Sequence, residues 1–436
     1  MSALIGVDTL IMTVVILLLA ASWRLYQKRK YYRNVTTKLP TIFGIPFIGI
    51  VHMMLNVNKV YQKIGKGFDN LKASTCCIWV ATTPYVLTVD PEVIKHITSS
   101  PEFLNKSKDL YTHFQNGVFS GLLVSPVTIM DMKLEESSET YTEIVEAFNV
   151  FIDHMEKDLL YSWLGLGFLS RTPQYNRILK YIQDLMRSLT KKHLAQQIES
   201  EAMNNFVENK QAMIDITIKA LRQGIFNENQ VDIEGFTMLA ASYETSVGAT
   251  YTCLLMLAMH PEIQERVFQE IRSVFPDGIT SVEYDDLKKL PYLDMFISEA
   301  LRIAPPGPYI GRQTVDDTEL YPGVMLPKDA QVLIPIYELH RRKELWGPEA
   351  SRFNPDNFLP ENIAKRHPYS YMPFSKGSRN CIGFRYAEIS IRIILIHAVR
   401  NLKFSTTFKY EDIVYVPRVT LGYKIQPPVS IEARAN

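Results

Sequence analysis

Cys381 lies between Gly377 and Gly383 in the stretch Pro373-Phe374-Ser375-Lys376-Gly377-Ser378-Arg379-Asn380-Cys381-Ile382-Gly383, just before an apolar run. Such a loop is suited to present a thiolate. Gly377 can take backbone angles closed to other residues, and Gly383 removes a side chain where a flat ligand would approach the main chain. Arg379 carries a permanent charge two residues before the sulfur, able to pair with a carboxylate of that ligand and to offset the thiolate. Two other groupings carry chemistry. Glu244 and Thr245 set a carboxylate beside a hydroxyl, a pair able to relay protons, although a helical threonine also bonds back to its own helix. Glu299 and Arg302 stand three apart, which places carboxylate and guanidinium on one helix face. Exposed, such a pair contributes a few tenths of a kcal/mol; buried, it fixes the fold. A lone cysteine near a helix start is more often a small buried hydrophobe than a ligand, so the neighbours of Cys381 decide.

Those neighbours resemble the cytochrome P-450 haem-binding signature, Phe-x-x-Gly-x-Arg-x-Cys-x-Gly, matched at Phe374, Gly377, Arg379, Cys381 and Gly383. Ala241-Ser242-Tyr243-Glu244-Thr245-Ser246 resembles the same family's oxygen-activation motif, with Ser242 in place of the usual glycine. Ser298-Glu299-Ala300-Leu301-Arg302 supplies its Glu-x-x-Arg. The resemblance implies a mainly α fold with a small β-region and an N-terminal transmembrane helix. It implies haem b bound through Cys381 as axial thiolate, with Arg379 and Arg312 as candidates for the two propionates. Cleavage of dioxygen needs two protons delivered in a dry site, the role implied for Thr245 and Glu244. In the family a third arginine, from a Pro-Glu-Arg-Phe segment, completes the Glu299 and Arg302 network. Here the segment reads Pro355-Asp356-Asn357-Phe358, so Asn357 can hydrogen-bond but brings no charge. Ala241 stands where some related fatty-acid hydroxylases have a glutamate that esterifies haem, which implies non-covalent haem. The implied activity is insertion of one oxygen atom into a lipophilic substrate of fatty-acid, hormone or xenobiotic class, with electrons from NADPH through a reductase. Members near the fatty-acid hydroxylase branch, microsomal and insect-like, are the most similar.

The elements that must hold these residues can be read from pattern. Apolar residues from Gln230 onward predict a long helix around Thr245, ended by Pro261. Phe384 to Val399 predicts a helix after the cysteine, with Ile389, Ile393 and Ile396 on one face. Cys77 to Val80 and Tyr85 to Val89 read as strands joined near Pro84, and Pro91 opens a short helix. Pro305-Pro306-Gly307-Pro308 ends the Glu299 helix, and strands are predicted at Tyr309 to Arg312 and Val332 to Ile336. His340, just beyond the second, reads as a surface or packing residue and not as an axial ligand. Thr420-Leu421-Gly422-Tyr423 resembles the family's substrate-contacting hairpin tip.

A chain of 436 residues, 47% hydrophobic and 21% charged, can bury a large core. No linker or repeat divides it, so one catalytic domain over 50–436 is expected. A net charge of +1 argues against nucleic acid as a partner. The four cysteines form no disulfide or zinc pattern, which suits a reducing compartment. Leu10 to Ala21 is apolar except for Thr13, so residues 1–23 are expected to anchor the chain in a membrane, with residues 24–49 as a basic, proline-containing hinge. Arg24, Lys28, Arg29, Lys30 and Arg33 then place the remainder of the chain on the cytosolic side, which points to the endoplasmic reticulum membrane. Thr245 lies nearer the N-terminus than the resemblance implies. A segment around the C and D helices is therefore expected to be missing between about 126 and 130, and the Trp and Arg it would carry have no counterparts. The alternative function is a haem-poor, non-catalytic product of a shortened transcript or gene model that keeps the fold.

Overall fold

In the computed structural model, which describes residues 2–42, 44–45, 49–54, 57–110, 150–151, 154, 158, 161, 172–202, 213–276, 281–418 and 420–434, the apolar run around Trp79 becomes the middle of a sheet. Strand β1 is Thr41–Ile42, β2 Thr75–Val80, β3 Thr83–Thr88, β4 Asn105–Lys106, β5 Ile310–Gln313, β6 Thr318–Tyr321, β7 Val324–Leu326 and β8 Gln331–Ile334. Six of them form one sheet in the order β1-β2-β3-β8-β5-β4, while β6 and β7 pair as a separate hairpin. All six residues of β2 are buried, which explains why it lacks the alternation of a half-exposed strand. The β2–β3 turn falls at Ala81 and Thr82 and not at Pro84, which sits inside β3 opposite Trp79. Ala81 has φ 51°, an unusual value for a residue with a side chain.

This sheet belongs to a first unit, Met1–Ser107 with Gly311–Pro335. Its helices of six residues or more are α1 (Ser2–Tyr31), α2 (Arg33–Lys38), α3 (Val60–Leu71) and α4 (Pro91–Ser99), the last capped by the Asp90 carboxylate on the Glu92 and Val93 amides. The basic part of the expected hinge is thus helical. It also holds the sheet: Lys28 Nζ donates to Thr83 Oγ1 at 2.8 Å, and the Arg29 guanidinium lies 5.6 Å from the Trp79 ring centroid. Among the described residues no helix is long and apolar enough to cross a membrane. The side chains of residues 1–11 and of Val14, Leu17 and Leu18, on which the anchor expectation largely rests, lie outside the described ones. So do residues 111–149, which include the position expected for the missing segment.

The second unit, Lys108–Ile310 with Ile336–Asn436, is mainly helical. Its long elements are α5 (Pro173–Ala202), α6 (Met213–Arg222), α7 (Glu228–Met259), α8 (Pro261–Val274), α9 (Pro291–Ile303) and α10 (Phe384–Asn401). Asn227 starts α7 with a reciprocal cap: its side chain accepts the Gln230 amide, and the Gln230 side chain accepts the Asn227 amide. Pro261, lacking an amide hydrogen, opens α8 directly where α7 stops. Helices α7 to α10 share one core, with Cys253, Met256, Ile271, Phe296, Leu395 and Val399 all fully buried. The buried face of α10 is Ile391, Leu395, Ile396 and Val399, which shares only Ile396 with the isoleucine pattern and otherwise lies two residues on from Ile389 and Ile393. Strand β9 (Leu402–Ser405) pairs with β12 (Ser430–Ala433), and β10 (Tyr415–Pro417) with β11 (Leu421–Tyr423) in a hairpin.

Candidate active site

The cysteine loop is folded by its own main chain. The Met372 carbonyl accepts the Ser375 amide at 2.9 Å, the Phe374 carbonyl accepts the Cys381 amide at 2.9 Å, and Gly377 turns between them at φ 80°. A side chain at Gly377 would be strained there. Gly383 is buried at the start of α10 and aims its amide at the Cys381 sulfur. Burial pushes the Cys381 thiol up, and that amide opposes the shift. The other three cysteines are fully buried, each pushed up to about 12 by burial. Cys381 is the one cysteine that is only half-buried. A cation at its sulfur would reverse the preference, because a coordinating thiol gives up its proton. One soft sulfur, half-exposed at a helix N-terminus and flanked by glycines, fits a metal already held by its own flat macrocycle. Phe374 packs on the core that α7 to α10 share, and its ring lies 6.5 Å from that of Phe384 at the start of α10. Arg379 is exposed at the end of the one-turn helix Gly377–Arg379.

On α7, Thr245 Oγ1 donates to the Ala241 carbonyl at 2.7 Å, the back-bond open to any helical threonine. Its lone pairs remain able to accept. Glu244 Oε1 accepts from Thr420 Oγ1 at 2.9 Å, so the carboxylate is held by the β10–β11 hairpin. The same hairpin meets α7 two turns on, where the Thr252 and Tyr423 hydroxyls are 2.8 Å apart. Thr420, which the sequence marks only as part of a hairpin tip, is therefore the direct partner of the candidate proton donor.

The Glu299 and Arg302 pair is fully buried and bidentate, with Arg302 Nε to Glu299 Oε2 at 2.6 Å and Nη2 to Oε1 at 2.7 Å. Arg302 also donates to the carbonyls of His340, Ala350 and Arg352, so all five of its N–H groups are used. Glu299 further accepts the Asn354 amide and the Asn357 side chain, at 2.7 and 3.2 Å. Burial pushes the Glu299 carboxyl up while Arg302 pulls it back. Asn357 thus joins the network without charge, as its side chain predicts. The charge comes from a residue the sequence did not suggest: Arg366 donates to the Asn357 carbonyl at 2.7 Å and stacks 3.8 Å over the Trp346 ring. Arg312 lies in the first unit, on β5, and is buried at 3% exposure with Nη1 donating to the Gly311 carbonyl. A solvated strand arginine is excluded for it.

A family model described as Cytochrome P450 matches residues 126–418. The chain is 30% identical to Probable cytochrome P450 313a4 of Drosophila melanogaster, with 94% of this chain and 96% of that protein aligned. It is equally identical to Probable cytochrome P450 313a1 of the same organism, with the same coverage. Cytochrome P450 4p1, also from that organism, is 32% identical over 67% of this chain and 59% of its own length. The alignment with 313a4 runs to 480 positions although this chain has 436 residues, so it crosses positions at which the chain has none. The matched span takes in the cysteine loop, the long helix and the buried ion pair alike, and the chain belongs to the cytochrome P450 family, monooxygenases that bind haem through an axial cysteine thiolate.

Proposed function

We propose that the chain is a membrane-anchored monooxygenase that oxidises a lipophilic small molecule with electrons passed from NADPH by a reductase, with Cys381 as the haem ligand. The observation that carries it is the folded loop that offers Cys381 alone of the four cysteines. Haem, when bound, supplies dioxygen activation, and donation from the thiolate favours O–O cleavage. Phe374, Gly377 and Gly383 shape the loop, and Arg379 and Arg312 are the proposed propionate partners. Thr245 hands on protons by releasing the Ala241 carbonyl, and Glu244 resupplies them. Glu299, Arg302 and Asn357 hold the frame. For the anchor, Met12, Val15, Ile16, Leu19, Trp23 and Tyr26 recur at helical spacing along α1, and all are exposed. An apolar stripe followed by five basic residues supports insertion with the rest facing the cytosol, in the endoplasmic reticulum membrane. A second reading, a haem-poor product of a shortened chain, is favoured by the excess of alignment positions over residues.

The test is the reduced, carbon-monoxide-bound spectrum of the purified chain. Cys381→Ser is expected to keep the global fold and lose the thiolate-type band, since a hydroxyl is a far weaker electron donor. An unchanged band would remove Cys381 as ligand. Thr245→Ala is expected to leave haem binding intact and to send most reducing equivalents to hydrogen peroxide, read as peroxide formed per NADPH consumed. Product formation as tightly coupled as in the unaltered chain would remove Thr245 from proton delivery.

A further inference from the structure

His340 follows the one-turn helix Ile336–Leu339 and is fully buried, the packing and not the surface alternative of its sequence reading. Both ring nitrogens are engaged. The Met372 amide donates to Nε2 at 3.0 Å, and Nδ1 lies 3.2 Å from the Arg302 carbonyl. An amide can only donate, so Nε2 must accept, and the single ring proton sits on Nδ1, directed at Arg302. The histidine's own carbonyl accepts from Arg302 Nη1 at 2.8 Å. Its ring stacks on Tyr371 at 5.3 Å, and Tyr371 is tied by its hydroxyl to the Ser298 carbonyl of α9. Burial and the Arg302 guanidinium hold the ring well below the usual histidine range, with Arg341 and Arg366 adding to the effect. The ring is therefore kept in the neutral form this arrangement needs.

Met372 is where the cysteine loop begins. It is buried, its carbonyl accepts the Ser375 amide, and two residues on the Phe374 carbonyl accepts the Cys381 amide. Those bonds close the loop on itself, whereas the bond from the Met372 amide to His340 leads out of it to the Arg302 frame of α9. We propose that His340 is the positioning residue for the cysteine loop: its Nε2 holds the Met372 amide and so fixes the Cys381 sulfur relative to the buried ion pair. It acts through the main chain and touches neither the sulfur nor any ligand there. The proposal concerns the same loop as the haem-ligand reading but does not depend on that reading, because it can be tested without haem.

The test uses maleimide labelling of the purified full-length chain under native conditions. Cys76, Cys77 and Cys253 are fully buried, so native labelling reads Cys381, with the site checked by peptide mass. Two replacements separate the two ring bonds. His340→Gln puts an acceptor near the position of Nε2, whereas His340→Asn reaches only the position of Nδ1. Gln is expected to label at the unaltered rate within about twofold. Asn is expected to label about tenfold faster, the change that loss of one hydrogen bond implies. Equal rates for the two variants, whether both slow or both fast, would overturn the proposal: the first would mean that the Met372 bond holds nothing, the second that the ring merely fills space. Should either variant fail to fold, amide hydrogen exchange in the unaltered chain decides. The Met372 amide is expected to be among the slowest of residues 371–383, and exchange as fast as at exposed Asn380 would refute the role.

Discussion

Arg302→Leu is expected to lower the stability of the fold by at least about 3–5 kcal/mol, because it leaves the fully buried Glu299 carboxylate without its bidentate partner. A typical domain is stable by only about 5–15 kcal/mol, so most of the variant should be recovered as aggregate. The loss is larger than for an ordinary buried pair because the carbonyls of His340, Ala350 and Arg352 lose their donor at the same time. Arg302→Lys should do little better, since an ammonium has three N–H groups where five are used. Replacing both partners, as in Glu299→Leu with Arg302→Leu, should cost less than the sum of the single changes, because no unpaired charge remains. Chemical denaturation followed by circular dichroism measures each variant. An Arg302→Leu chain with the denaturation midpoint of the unaltered one would show that the buried pair does not hold the frame.

The second large effect concerns the length of the chain. A version that carries an added C- and D-helix segment at about 126–130, where the sequence reading expects one to be missing, is expected to bind haem about tenfold to several thousandfold more tightly. That range runs from one charge-assisted hydrogen bond of about 1.5 kcal/mol to two of about 2.5 kcal/mol each. Haem brings two propionates, and Arg379 and Arg312 are the arginines proposed for them. A segment that supplies a further donor, and that covers apolar surface beside the cofactor, adds to both contributions. Haem titration of the two chains, followed by absorbance, gives the comparison, and reductase-supported turnover should rise with it. Equal haem affinity for the two chains would show that neighbouring segments close the gap and that the shorter chain is complete as an enzyme.

What the sequence revealed was local, and what it concealed was long-range. Cys381, Gly377 and Gly383 announce a loop because glycine spacing is written along the chain. The long helix through Thr245 shows in its apolar run, and Glu299 with Arg302 in their spacing. The strands around Trp79 are visible, but the turn between them is not: proline suggests a corner, while Ala81 at φ 51° makes it. Arg366 could not be found as the cation beside Asn357, because nothing near position 357 marks a residue nine places later as its neighbour. Thr420 reaches Glu244 from 176 positions away, and no periodicity records such a contact. The burial of His340 is hidden for the same reason. It comes from Tyr371, Trp346 and the Arg302 frame, none of them adjacent in sequence. The rotamer of Thr245, turned to Ala241, is a choice among near-equal positions that residue identity does not make.

The five donors of Arg302 also impose an order on synthesis. Glu299 precedes Arg302 on the same helix, but the carbonyls that complete its shell belong to residues 340, 350 and 352, and the amide that completes Glu299 belongs to residue 354. Each of these outside partners is made later than the charged group it hydrogen-bonds. At about 5–20 residues per second, a ribosome takes several seconds to pass from Arg302 to Asn354. During that interval α9 carries a guanidinium with open donors on the face that is destined for the core, so it cannot bury that face at low cost. The face of α9 that carries Arg302 is therefore fully satisfied only once the emerging chain has delivered these acceptors.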